Sequence, residues 1–252
     1  MSRMISKLGA VVVGVNDLTA AVLDYEALTG VAGVLEQFRG EQSACFHLAN
    51  MCLRLVTTAG RQGLKQLAFQ SDDLAAAKRR LKSLGISVIE AESDDDFLSL
   101  SPDTTRGISL AVTTAADSTV MSEAPNPLIA GLDHAVIASG DGDYTAALLS
   151  GRLQLDLRLD LTNPDWDSRL MFFRCGDLIV EVYQPLSKPL PAEQDRFFGL
   201  SWRTLNIDAT HAALTERGFN VSPVKAGRKP GTRVCTVRDK THGVPTLILG
   251  VN

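Results

Sequence analysis

The sequence lacks long apolar runs. The longest near its N-terminus is Ala10–Val13, far short of the roughly 20 residues of a membrane span or the about 7 to 15 of a signal-peptide core. The expectation is a cytoplasmic protein with no membrane partner. Positive charge is not in excess either: 25 Lys and Arg stand against 29 Asp and Glu, for a net charge of −4 and a pI of about 5.6. The broad cationic field of a nucleic-acid binder is therefore missing. Cysteine is scarce. Cys45, Cys52, Cys175 and Cys235 form no C-x-x-C pair and have no His at zinc-finger spacing, and each sits in or beside an apolar strand-like run, so they read as buried thiols. No P-loop, dinucleotide-binding glycine fingerprint or G-x-S-x-G elbow occurs. What is present is the balance of a globular protein, 45% hydrophobic and 21% charged over 252 residues, enough for one large domain or two smaller ones.

Periodicity finds one unit four times: an apolar strand, an Asx residue able to cap a helix, an amphipathic stretch, a glycine, and another strand. The copies open at Leu8–Val15, Leu64–Phe69, Leu132–Ala138 and Trp202–Ile207. Their capping residues are Asn16 and Asp17, Asp72 and Asp73, Asp141 and Asp143, and Asp208, and their helices end at Gly30, Gly85, Gly151 and Gly218. Further strand candidates follow each glycine, so each copy reads βαβββ. Thr114–Pro127 has no hydrophobic periodicity and looks like a linker. The expected fold class is α+β, with tandem βαβββ modules forming two paired-module domains with curled mixed sheets and outer helices. The domains are placed at 1–114 and 130–252 and the linker at 115–129. An open one-sided sheet needs a partner, and pairing two units supplies it around a cleft lined by inward strand residues.

Leu132-Asp133-His134-Ala135-Val136, Gly176-Asp177-Leu178-Ile179-Val180-Glu181-Val182, and Arg238-Asp239 followed by Gly243 resemble the vicinal oxygen chelate superfamily, the group of glyoxalase I, bleomycin-resistance proteins and extradiol dioxygenases. The resemblance covers almost the whole chain. Metal-using members draw ligands from the first and last strands of two paired repeats. In the third repeat those places hold His134 and Glu181, and in the fourth Thr204 and Leu247, so only two of four ligands remain. The resemblance then implies one of two arrangements. Either a single divalent metal is held by His134 and Glu181 with water and substrate completing its shell, or no metal is used and the two residues act as acid and base. The N-terminal pair of repeats offers only Gln66 as a polar remnant and reads as a scaffold or a dimerisation surface, which leaves room for a homodimer.

Alternation places Glu181 with Ile179 and Tyr183 on the face opposite Val180 and Val182. It also places Trp202, Thr204 and Asn206 on the cavity face and Arg203 on the helix side. Gly227–Arg233 gathers Arg228, Lys229 and Arg233 in one turn, which reads either as a solvated hairpin or as a flap greeting a carboxylate or phosphate. The expected substrate-binding set is therefore Trp202, Thr204, Asn206, Tyr183 and Arg233, around catalytic or metal-ligating His134 and Glu181. Of the other histidines, His211 and His242 read as solvated and His47 as structural. The expected function is a glyoxalase-like lyase or isomerase moving a proton on a small oxygenated carbonyl or acid. The alternatives are a metal-free small-molecule binding or sequestration protein of bleomycin-resistance type, or an inactive scaffold.

Overall fold

The computed structural model describes residues 4–114 and 127–251. The expected linker therefore lies outside the described residues except at its end, 127–129. The first repeat is complete: β1 (Lys7–Val15), α1 (Leu18–Thr29), β2 (Val34–Phe38), β3 (Glu41–His47) and β4 (Cys52–Thr57). The second runs β5 (Gly63–Ser71), α2 (Leu74–Ser83), β6 (Phe97–Leu100) and β7 (Leu110–Thr114). Its expected strand at Ile86–Glu90 is reduced to one bridge, Val88 to Leu100.

The third repeat is again complete, with β8 (Gly131–Ala138), α3 (Gly142–Ala146) continued by a wide turn over Ala147–Arg152, β9 (Asp156–Asn163), β10 (Ser168–Cys175) and β11 (Leu178–Pro185). The fourth has β12 (Arg196–Thr204), α4 (Ile207–Glu216), the two-residue β13 (Lys225–Ala226), β14 (Thr232–Val237) and β15 (Thr246–Val251). Here too the strand expected at Phe219–Ser222 shrinks to a bridge, Val221 to Val237. Pro223 follows at once and cannot donate to a ladder.

Each helix starts as its Asx residue dictates. Asp17, Asp73, Asp141 and Asn206 accept from the backbone N–H of Ala20, Ala76, Tyr144 and Ala209, satisfying a donor the helix leaves orphaned. The fourth cap is thus Asn206, not Asp208, and α4 starts two residues before the expected Ala209. Gly30, at φ 73°, closes α1 in the left-handed conformation that only glycine adopts cheaply.

The strands form two sheets, ordered β2-β3-β4-β1-β5-β7-β6 and β13-β14-β15-β12-β8-β11-β10-β9. Both are mixed: β5 pairs β7 and β12 pairs β15 in parallel, while β10 runs antiparallel to both β9 and β11. The fold is α+β, built of βαβββ units as expected. Among the described residues two compact units form. One lies within Met1–Ala10, Gln66–Asp117 and Ala135–Phe198, the other within Val11–Lys65, Ser118–His134 and Gly199–Asn252. Each draws on both halves of the sequence. Among the described residues no helix is long and apolar enough to cross a membrane.

Cys45 and Cys52, on neighbouring strands, are joined as a disulfide, which corrects the reading of all four cysteines as thiols; Cys175 and Cys235 are free and buried.

Candidate functional site

His134 belongs to the second unit and sits near the start of β8. That start is fixed by Asn50, whose amide behaves as a short strand: its Nδ2 donates to the Leu132 carbonyl at 2.8 Å and its Oδ1 accepts from the Leu132 N–H at 3.0 Å. Gly131 makes this approach possible. A Cβ there would stand 2.6 Å from Asn50 Oδ1, and φ is 145°. His134 and Asp133 follow. Their side chains keep 15% and 32% of their surface exposed, and His134 Nδ1 lies 2.8 Å from Asp133 Oδ1. An ionised carboxylate can only accept, so Nδ1 donates to it and a proton exchanged with a substrate would move at Nε2.

Arg203, on β12, closes the group. Its Nη2 donates to the Leu132 carbonyl at 2.9 Å and its Nε lies 3.7 Å from Asp133 Oδ2. Partial burial raises the proton affinity of the Asp133 carboxyl. The hydrogen bond from His134 and the charges of His134, Arg203 and Lys229 outweigh this and hold the group below the usual carboxylate range. Asp133 is therefore a fixed anion at neutral pH, orienting an imidazole with one oxygen and facing a guanidinium with the other.

Alternation sends Arg203 to the helix side only if the strand runs on to Ile207, with Leu205 and Ile207 packed on the helix. The strand ends at Thr204; Leu205 is 89% exposed and Ile207 already belongs to α4. Thr204 Oγ1 lies 2.7 Å from Thr210 Oγ1 of α4, so Thr204 faces the helix and Trp202, fully buried, shares that side. The opposite face carries Arg203, which stands beside Leu249 in the parallel register of β12 and β15, with Leu247 two residues earlier. Trp202 and Thr204 are thus core, and Asn206 is a helix cap. The signal that could have placed the strand end is the Asn206-Ile207-Asp208-Ala209 start itself.

Arg233, also expected to bind substrate, pairs with Asp208. Its guanidinium makes two bonds to Asp208 in the first turn of α4, at 2.6 and 2.9 Å. His211 Nε2 lies 3.1 Å from the Ser222 carbonyl oxygen. His242 is not the solvated residue expected: its ring stacks on Tyr25 and its nitrogens lie 3.0 Å from Asp24 Oδ2 and 3.2 Å from Gln62 Oε1. His47 lines a small cleft with Val31, Leu48, Ala49 and Ile129.

Glu181 belongs to the first unit, on β11. Val180 and Val182 are buried, and Ile179, Glu181 and Tyr183 take the other face as alternation requires. Phe172 is the cross-strand partner of Glu181, and the Tyr183 ring lies 5.9 Å from that of Phe198. Gln66 Nε2 donates to Ser109 Oγ, an ordinary structural bond.

The donor set around His134 does not suit a resident divalent ion. Among the described residues no group of three or more His, Cys, Asp or Glu side chains is placed to share a metal. On the fourth repeat's corresponding face stand Leu247 and Arg203, neither of which can ligate a metal ion.

Residues 133–236 match the family described as Glyoxalase/Bleomycin resistance protein/Dioxygenase superfamily, so the resemblance read from the sequence is borne out. No curated protein matches the chain. Among solved structures, a triple mutant of 4-hydroxymandelate synthase from Streptomyces coelicolor is similar, with a TM-score of 0.75 at 14% identity over 98% of this chain and 93% of that one. The 2,2',3-trihydroxybiphenyl 1,2-dioxygenase of the dibenzofuran-degrading Sphingomonas wittichii has a TM-score of 0.72 at 16% identity over 98% and 90%. The Mn(II)-bound glyoxalase from Novosphingobium aromaticivorans has 0.71 at 16% over 99% and 83%. At these identities the likeness is one of fold.

Proposed function

We propose that this chain is a glyoxalase-like enzyme that moves a proton on a small oxygenated carbonyl or acid, with His134 as its acid–base group. The observation that carries the reading is the Asp133–His134 pair. A carboxylate held charged on Nδ1 fixes the tautomer, leaves Nε2 as the base, and steadies the imidazolium that forms when Nε2 takes a proton. The 15% exposure of His134 limits water's competition for that nitrogen. The residues around His134 do not fit a metal ion.

A metal-free binding protein would need aromatic surface in its cleft, and Trp202 is only 1% exposed, which supports the acid–base reading. The test is exchange of the hydrogens beside the carbonyl of pyruvate, glyceraldehyde and dihydroxyacetone in heavy water, followed by proton NMR. The wild type is expected to accelerate exchange of at least one, and His134→Gln to lose about 100-fold or more of that acceleration, as is usual for removal of a general base. Equal exchange by both proteins refutes the role of His134.

A further inference from the structure

We infer that Cys45, Cys52 and His47 form a thiol–disulfide exchange site whose reaction partner is a small thiol. The three residues lie within the second unit, on the hairpin of β3 and β4.

Strand register brings them to one face. Cys52 stands directly across from His47, and Cys45, two residues before His47 on β3, points to the same side. The cysteines are joined, with Cα atoms 6.2 Å apart, and His47 Nδ1 lies 4.0 Å from Cys45 Sγ. A disulfide sulfur can only accept, so this contact sets an N–H beside Cys45. His47 is half-buried and lines a cleft, which keeps its ring in touch with the solvent that resupplies a proton.

The bridge is not what holds the hairpin together. Its ladder runs from Ser43 opposite Val56 to His47 opposite Cys52, and Leu48 N donates to the Met51 carbonyl at 3.0 Å across the turn. The strands therefore stay paired when the sulfurs part. The sulfurs are also unequally reachable: Cys45 is 1% exposed and Cys52 is half-buried. A thiol from solution meets Cys52 first, which makes Cys45 the leaving group.

The incoming thiolate bonds to Cys52 Sγ as the bridge breaks. The bonding pair leaves on Cys45 Sγ, which takes the proton that His47 Nδ1 holds beside it. A second small thiolate attacks the sulfur added first, releasing a small-molecule disulfide and leaving Cys52 to take a proton from water. Two small thiols are oxidised as one protein disulfide is reduced to two thiols. The protons the small thiols lose replace those taken by Cys45, through His47, and by Cys52. An oxidised small thiol drives the same steps backward, with His47 accepting the Cys45 proton.

The probes are reduced and oxidised glutathione, added to the whole native chain, with acid quenching, alkylation by N-ethylmaleimide and mass spectrometry of the peptides. Wild type is expected to pass reversibly between bridged and dithiol forms as their ratio is changed, with unchanged circular dichroism. His47→Gln should slow reduction and reoxidation alike by about 10-fold or more, as loss of one acid–base group shared by both directions requires. With oxidised glutathione, Cys45→Ala should hold a mixed disulfide on Cys52, and Cys52→Ala should be modified on Cys45 at least about 10-fold more slowly. These two variants decide the matter even where His47→Gln fails to fold. The site is overturned by free thiols at both positions under oxidised glutathione, or by a bridge that opens only in guanidinium chloride. Equal capture of glutathione by Cys45 and Cys52, or unchanged rates in a folded His47→Gln variant, overturns it as well.

Discussion

At the scale of the residue, one step along β12 decides whether Asp133 meets a hydroxyl or a cation. Thr204 would have been a neutral neighbour; Arg203 instead brings a guanidinium that helps hold Asp133 charged. Elsewhere single residues are muted by burial. Desolvation pushes the Cys175 thiol up to about 12 and the Cys235 thiol up to about 11. A raised thiol pKa means that the reactive thiolate is scarce until pH approaches those values. At pH 8, iodoacetamide is therefore expected to leave both residues unlabelled in the folded protein and to label both in guanidinium chloride, read by mass spectrometry of the peptides. Labelling of either in the native state at the rate of a free thiol would show that its strand opens readily.

At the scale of the element, the Asx-capped helix is the unit the fold repeats, and its caps are separately testable. Asn206 is exposed, and its visible work is to accept from the Ala209 N–H. Asn206→Ala should cost about 1 kcal/mol in urea unfolding, Asn206→Asp should be close to neutral, and His134-dependent proton exchange should be unchanged in both. Loss of exchange without loss of stability would return Asn206 to the binding set. The same elements show why the fold was legible and the site less so. Strands, caps and glycines are local signals, so Asp17, Asp73, Asp141 and Gly30 announce their roles within a few residues. The face a strand shows depends on where it ends, and β12 ends one residue before the Leu205 used to judge it. The face of Glu181 is legible because buried Val180 and Val182 flank it inside a long strand. The Arg233–Asp208 pair and the Asn50 bracket were not legible, since each joins segments that only the folded chain brings together.

At the scale of the whole molecule, the two sheets divide at the middle of the sequence but the compact units do not. In the second unit Tyr25 donates its hydroxyl to the Thr241 carbonyl and His242 reaches Asp24. In the first, Arg106, ahead of β7, meets Asp195, after β11, at 3.1 Å, with side chains 8% and 0% exposed. The arginine also donates to the Ala192 carbonyl and lies over the Tyr144 ring, and Thr145 Oγ1 donates to Asp195 Oδ2. A charge so buried is tolerable only while its partner remains. Arg106→Met should cost about 3 to 5 kcal/mol in urea unfolding, because Asp195 is then buried unpaired, and Asp195→Leu should cost a similar amount. The double variant should recover much of either loss, since a buried pair replaced by apolar groups leaves no orphaned charge. If the two losses simply add, the pair is not coupled, and the second repeat must be held to the segment after β11 by apolar packing.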